Sequence, residues 1–321
     1  MNSVIVVGSF NVDHVWRCAD LPAVGATIAG QYATGPGGKG FNQAVAAARA
    51  GARTAFVCAL GDDAGGRLAR ELAAADGIDL RAEASGQPTG TAGIYVDARG
   101  RNTIVIGAGA NGTLGAAHVT ADPELLRGAR VVLAQLESPP AAVEAALAAA
   151  REAGATAMLN PAPANAPTSA GLLRLADIVT PNETEFAALL SRHVGERVEP
   201  EAVAALDGAS LHAACRKLLP HGTVVVTLGA VGAFVSHAEE DLRGDAQPYY
   251  RVAAESVSAS DTTGAGDAFN GALAAALARA PEQPFATHVR YANRFAALST
   301  ERPGAAPAMP RHDEVMARFG A

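Results

Sequence analysis

Cysteine is scarce in this chain: three in 321 residues, at Cys18, Cys58 and Cys215. No pair has CxxC spacing, so neither a disulfide framework nor a zinc ribbon is indicated, and buried inert thiols are expected. Charge is also sparse, at 18% of residues, which argues against a disordered or coiled-coil chain. The net charge of −7 leaves no basic surplus for a broad nucleic-acid surface. It still permits a phosphate-bearing ligand held locally by backbone dipoles and a few cations. No apolar run reaches membrane-spanning length, and the opening MNSVIVVGSF carries no basic segment, so a cytoplasmic protein without a membrane partner is expected. The eight histidines show no HxH or HExxH spacing and indicate no zinc site. Aromatics make up only 5% against 49% hydrophobic residues. Much of that apolar content is alanine, which suits many closely packed helices.

What is present is a strand–helix alternation. The β-branched run in SVIVVGSFNVD reads as a strand buried on both faces. FNQAVAAARAGA reads as a helix stopped at Gly51, RTAFVCALGDD as a strand, and GGRLARELAAADGI as a helix again ended by glycine. ARVVLAQLE, TAMLNPAP and ADIVTPNETE read as strands and PPAAVEAALAAAREAGA and ETEFAALLSR as helices. GTVVVTLGAVGAFVS reads as two strands and GDAFNGALAAALARA as a helix. Such alternation predicts an α/β fold: a three-layer α/β/α core around a mostly parallel sheet. Segments 13–35 and 87–107 break the rhythm with short strands and turns, VDARGRNTIV being a hairpin candidate. They predict a small β lid or edge decoration on a core made of 1–12, 36–86 and 108–321. Residues 194–210 read as a polar surface connection with part of a helix. In a parallel sheet, ligands bind beyond the carboxyl ends of the strands. Asn11, Asp13, Glu137, Asn160, Asn182, Glu185, Thr227, Gly229 and Asp267 all fall just after predicted strands.

The sharpest motif is DTTGAGDAFNGAL, from Asp261 to Leu273. Gly264, Ala265 and Gly266 lead into a helix, where backbone N–H groups favour an anion. Asp267 sits where that anion would lie. A carboxylate there repels phosphate but can accept the proton of a hydroxyl that attacks it, which is what a kinase requires. The alternative for an isolated Gly-Asp pair is a helix-capping acid. Two other glycine motifs carry less. GAGANG at Gly107–Gly112 satisfies GxGxxG but lies far from the first strand and precedes a poor helix, so a dinucleotide site is not expected. GPGGKG lacks the Ser or Thr that a P-loop needs after its lysine.

The string DTTGAGDAF resembles the second signature of the PfkB sugar and nucleoside kinases, the ribokinase family. GPGGKGFNQAVAAARAGARTAFVCALGDD resembles the first. GSFNVDH, GAGANG, QLESP, NPAPA, TPNETE and TLGAVG follow the family's order, from Gly8 to about Pro310. The resemblance implies the ribokinase-like fold and ATP-dependent phosphorylation of a sugar primary hydroxyl, D-ribose at O5 first among candidates. Another sugar or a nucleoside is the alternative, and a non-catalytic sugar- or nucleotide-binding regulator a further one. It implies Asp267 as base, with Gly264, Ala265 and Gly266 as the anion hole. Asn11, Asp13, Gly38, Lys39, Asn42 and Glu137 would form the sugar pocket, Asp267 also touching the substrate. Such carboxylates and amides suit hydroxyls that both donate and accept. Asn182, Thr227, Gly229, Gly232, Gly266 and Asn293 would border ATP, and Glu185 would reach Mg2+ through water. The spacing of Asn182 and Glu185 also fits a capping box, and both roles can hold together. Asp261, Thr263, Ser299, Arg302 and Gly304 would hold a monovalent cation, K+. A homodimer through the lid is implied as well. Three positions depart from the family pattern: Phe41 replaces a small alanine, Ala308 replaces a serine at the cation loop, and Pro36 stiffens the loop before GGKG. An inward Phe41 ring would reshape the sugar pocket; a ring turned to the core would only pack.

Overall fold

The run VIVV forms β1 (Val4–Val7), wholly buried, in the computed structural model, which describes residues 3–320. β1 ends sooner than the sequence suggested. After Gly8–Phe10 the chain enters β2 (Asn11–Arg17), which belongs to a different sheet. The remaining strands are β3 (Gln31–Gly37), β4 (Thr54–Gly61), β5 (Asp79–Ser85), β6 (Gly90–Val96), β7 (Asn102–Gly107), β8 (Val131–Ala134), β9 (Thr156–Leu159), β10 (Ile178–Val179), β11 (Thr223–Thr227), β12 (Ala233–Ser236) and β13 (Tyr249–Val252). The main sheet has nine strands in the order β13-β12-β11-β10-β9-β8-β1-β4-β5. It is parallel from β5 to β11, and β12 and β13 close it antiparallel.

Alternation along β1 separates two cores. Val4 and Val6 join one apolar cluster, and Ile5 and Val7 the other. Helices cover both faces, as expected of the α/β/α arrangement. The first cluster packs helices Lys39–Arg49, Ala265–Arg279 and Phe285–Ser299 on one side. The second packs Pro140–Glu152, Glu183–His193 and Gly208–Leu218 on the other.

The second sheet has four strands, β3-β2-β6-β7, with β2 and β6 parallel and the outer pairs antiparallel. The hairpin expected at VDARGRNTIV is β6–β7, its turn pinned by Asp97, which accepts from Arg99 N and Arg101 N. The 194–210 connection holds the short helix Pro200–Val203 and the start of Gly208–Leu218. Cys58 and Cys215 are buried and their thiols pushed up by burial, but Cys18 on the small sheet's margin is only half-buried, so the expectation of three buried thiols fails there. Among the described residues no helix is long and apolar enough to cross a membrane.

One close contact matters for the site. Helix Lys39–Arg49 crosses helix Ala265–Arg279 at Gly271, where a Cβ would stand 2.4 Å from Gln43 O and 2.5 Å from Ala46 Cβ. Only glycine permits that approach, and it brings the Asn42–Gln43 face against Asp267.

Candidate active site

The carboxyl ends of β1, β8, β9, β10 and β11 meet at one edge of the main sheet, and the polar residues singled out in the sequence converge there. Glu137 follows β8. Its Oε2 accepts from Ser9 Oγ at 2.6 Å and from Lys39 N at 3.0 Å, which fixes the start of helix Lys39–Arg49 against the end of β1. Asn11 opens β2, and its Oδ1 accepts from Asn111 Nδ2 at 2.8 Å. Asp13 lies two residues on, its carboxylate against Gly37, and among the described residues nothing donates to it. Burial, with Glu137 and Asp267 nearby, pushes Asp13 up to about 7. Lys39 faces the same carboxylates. Burial works against its charge, but Asp267, Glu137 and Glu185 outweigh burial and push its ammonium up. The cluster is therefore acidic, with one firmly charged cation inside it.

Asp267 lies in the first turn of helix Ala265–Arg279, 7% exposed. Its Oδ2 accepts from Asn42 Nδ2 at 2.9 Å and its Oδ1 from Gln43 Nε2 at 2.9 Å. Burial pushes its pKa up, against Lys39, Gln43 and Asn42, which favour the ionised form. It is not a capping acid: the N-cap is Gly264, in the left-handed conformation, with no side-chain cap. The three backbone N–H groups before it are not equivalent. Ala265 N donates to Thr262 O at 3.2 Å and is spent on the turn. Among the described residues, Gly266 N bonds to no carbonyl outside its helix.

On the far side of Gly266 opens a cavity of about 620 Å³. Asn182, Thr227, Gly229, Gly232, Gly266 and Asn293 all line it. Its polar side chains are largely tied to backbone. Asn182 and Glu185 form the reciprocal capping box of helix Glu183–His193, Asn182 Oδ1 accepting from Glu185 N at 2.8 Å and Glu185 Oε2 from Asn182 N at 2.9 Å. Asn293 Nδ2 donates to Val252 O at 3.1 Å. Burial pushes Glu185 up, and Asp267 and Glu183 add to the rise.

The loop before the helix is pinned by Asp261. Its Oδ1 accepts from Thr263 N and Oγ1, and its Oδ2 from Gly304 N at 2.9 Å, so one carboxylate joins both segments. Ser299 Oγ turns back to Ala296 O, and the Arg302 guanidinium pairs with Glu314. Ala308 is buried beside them. Phe41 faces the core, 1% exposed and edge-on to Phe10 at 5.1 Å within the first apolar cluster.

Sequence reasoning missed several residues that hold this geometry. Gln43 and Gln135 lie fully buried behind Asp267. Asn111 clamps Phe10 by both its backbone N and O while supporting Asn11. The signal for Asn111 was present in GAGANG, weighed as a dinucleotide motif and counted among the ordered family motifs but given no residue role. Its work is to tie the entry of β2 to the exit of β7.

The chain matches the model of the pfkB family carbohydrate kinases over residues 1–312. It is 37% identical to ribokinase of Haemophilus influenzae over 317 residues, 98% of this chain and 97% of that protein. It is likewise 37% identical to ribokinase of Mus musculus, over 96% of this chain and 92% of the relative. Among solved structures it is similar to ribokinase of Giardia lamblia, with a TM-score of 0.87 at 30% identity, covering 99% of this chain and 98% of the other. It is also similar to Arabidopsis thaliana ribokinase complexed with ribose and ATP, with a TM-score of 0.83 at 30% identity, covering 98% of each.

Proposed function

We infer the function from one premise: the chain belongs to the pfkB family of carbohydrate kinases. It transfers the γ-phosphoryl group of ATP to the primary hydroxyl of a sugar, D-ribose at O5. The single observation that carries this reading is the position of Asp267. It stands at the start of a helix, between an acidic, amide-rich cluster of side chains and the cavity of about 620 Å³ that Ala265 and Gly266 line. Asn42 divides its amide across that boundary: Nδ2 holds Asp267, while Oδ1 is buried with no partner among the described residues. A buried orphan acceptor beside the base suits a sugar hydroxyl.

In this reading Asn11, Asp13, Gly38, Lys39, Asn42 and Glu137 bind the sugar. Asp267 takes the O5 proton as the new O–P bond forms and the bond between the γ-phosphorus and the bridging oxygen of ADP breaks. Gly264 and Gly266, with Ala265, present the helix N-terminus to the transferring group. Because the Ala265 N–H is committed to Thr262, Gly264 and Gly266 carry most of that work. Asn182, Thr227, Gly229, Gly232 and Asn293 border the nucleotide. Among the described residues no group of three acidic, histidine or cysteine side chains forms a metal cage. Glu185 nevertheless keeps one oxygen outside its capping box, which fits an ion held chiefly by phosphates and water. Mg2+ there would neutralise phosphate charge. K+ on backbone carbonyls around Asp261, Thr263, Ser299, Arg302 and Gly304 would add positive potential beside the anion hole.

Segments 13–35 and 87–107 act as a lid that excludes water from the transfer. The lid leaves Tyr32, Ile104, Val105 and Ile106 half or more exposed, with β3 and β7 as open edges. A second copy would cover them, giving a homodimer. The cytoplasm supplies ATP and keeps the three unpaired thiols reduced. The buried orientation of Phe41 favours ribose over a reshaped substrate. The test is ADP release with ATP and Mg2+ against ribose, deoxyribose, fructose and nucleosides, in potassium and in sodium. Turnover on ribose above the rest is expected; preference for a nucleoside would overturn the assignment.

A further inference from the structure

Behind the base lie three amides that the reaction as described does not use. Gln43 Nε2 donates to Asp267 Oδ1 at 2.9 Å and to Asn160 Oδ1 at 3.0 Å, and Gln43 Oε1 accepts from Gln135 Nε2 at 2.6 Å. Asn160 is fixed in turn by donating to Thr180 O at 3.0 Å. Both N–H bonds and the carbonyl of Gln43 are thus engaged, so its amide can neither rotate nor flip. The chain from Gln135 through Gln43 to Asp267 runs donor to acceptor in one direction and ends on a carboxylate, so each bond polarises the next. Its far end is costly: Gln135 Oε1 is wholly buried and has no partner among the described residues. Apolar side chains of the same shape would fill this space without leaving an unpaired acceptor. An amide kept at such cost beside a functional carboxylate calls for a role beyond filling space.

We propose that Gln43, braced by Gln135 and Asn160, is a positioning residue for the base. It pins Asp267 Oδ1 and favours the ionised carboxylate, so that Oδ2, shared with Asn42, is the oxygen turned to the sugar hydroxyl. The inference rests on the reading of Asp267 as base. The charged groups around that carboxylate are Lys39 from helix Lys39–Arg49, Glu137 after β8, Asp13 from β2 and Glu185 from helix Glu183–His193. Three of the four are acidic and favour protonation. The neutral donors Asn42 and Gln43 work with Lys39 against them.

The test is Gln43→Met, with folding followed by circular dichroism and thermal melting. A loss of positioning predicts kcat lower by about 10–100-fold with sugar KM within about twofold. The acid limb of kcat/KM against pH moves to higher pH, because the ionised form has lost a donor. In an Asp267→Asn background the same substitution costs less than about twofold, since the residue through which it acts is gone. Should Gln43→Met fold poorly, Gln135→Met decides. It leaves the donor to Asp267 but removes its brace, and moves the acid limb the same way by a smaller step. A raised sugar KM with kcat and acid limb unmoved would overturn the inference, as would an undiminished loss in the Asp267→Asn background. Near-normal turnover of Asp267→Asn alone would instead remove the base assignment on which the inference stands.

Discussion

In the proposed reading the site has a sugar half and a nucleotide half, and the two are built differently. The sugar half is made of side chains: Asp13, Lys39, Asn42, Glu137 and Asp267, with Asn11 held by Asn111 and Glu137 held by Ser9. The nucleotide half is made of backbone and small residues, among them Gly229, Ala230, Gly232, Ala254, Ala296 and Ala297. Its amides are spent on the protein itself, Asn182 in a capping box and Asn293 on Val252 O. The contrast follows from the ligands. A sugar is a ring of hydroxyls, distinguished by groups that match each donor and acceptor. A nucleotide offers a flat base and a string of charge, which a smooth cleft and a helix terminus accommodate. Substitutions in the first half should therefore act through lost hydrogen bonds, and those in the second through intruding volume.

The strongest break of the comparison falls at the boundary. Asp267→Asn keeps the shape but removes the proton acceptor, and its single oxygen can accept from only one of Asn42 and Gln43. Turnover should fall about 10²–10⁴-fold while ATP binding, followed by calorimetry, stays nearly unchanged. The next largest effect tests the nucleotide half by volume. Gly232 has φ +108°, and a Cβ there would lie 2.1 Å from Val252 O and 2.6 Å from Ala254 N. Gly232→Ala should displace that cleft wall and raise the ATP KM by about tenfold, with the sugar KM unmoved in steady-state assays. An equal rise in both would mean that the halves are not independent.

This division also governs what could be read without coordinates. Side chains with chemistry announce themselves: Asp13, Glu137 and Asp267 follow strand patterns, and the structure brings them to one edge. Backbone work does not. That Ala265 N–H is committed to Thr262 while Gly266 N–H is not depends on the turn and leaves no trace in residue type. β5 was invisible for a related reason. DLRAEAS is rich in residues that avoid strands, and its conformation comes from pairing with β4 at the sheet edge. Gln43 was hidden by its neighbours, since a glutamine in an alanine-rich helix reads as an exposed polar residue. Its contact with Asp267 depends on how closely Gly271 lets two helices approach, a tertiary fact.

Asn111 sharpens the comparison on the sugar side with a smaller effect. Its side chain hydrogen-bonds Phe10 and Asn11 and, among the described residues, no residue lining the nucleotide cleft. Asn111→Ala should loosen Asn11 and raise the sugar KM about five- to tenfold, the scale of one net hydrogen bond, leaving the ATP KM in place. A rise in the ATP KM instead would place the clamp on the wrong half.

The smallest effect concerns what the sugar half costs the empty protein. Asp13 ordinarily ionises at 3.8, and in the fold it is pushed up to about 7, first by burial and then by Glu137 and Asp267. Between those values the folded chain keeps a proton that the unfolded chain has released. Stability from this group therefore falls as pH rises through that window, and the full cost stands above about 7. Asp13→Asn removes the charge and the cost together. At about pH 8 its melting temperature without sugar should exceed that of the parent by about 1–3 °C, a modest figure because the carboxylate is only half-buried. Near pH 4 most of the difference should vanish, the carboxyl being protonated in the fold and only partly ionised in the unfolded chain. Saturating sugar should then reverse the order at the higher pH, because only the parent retains the group that binds it. A variant that melts no higher than the parent at about pH 8 would show that Asp13 is not strained by its surroundings. The acidity of the sugar half would then have to be absorbed by Lys39, the one cation among those carboxylates.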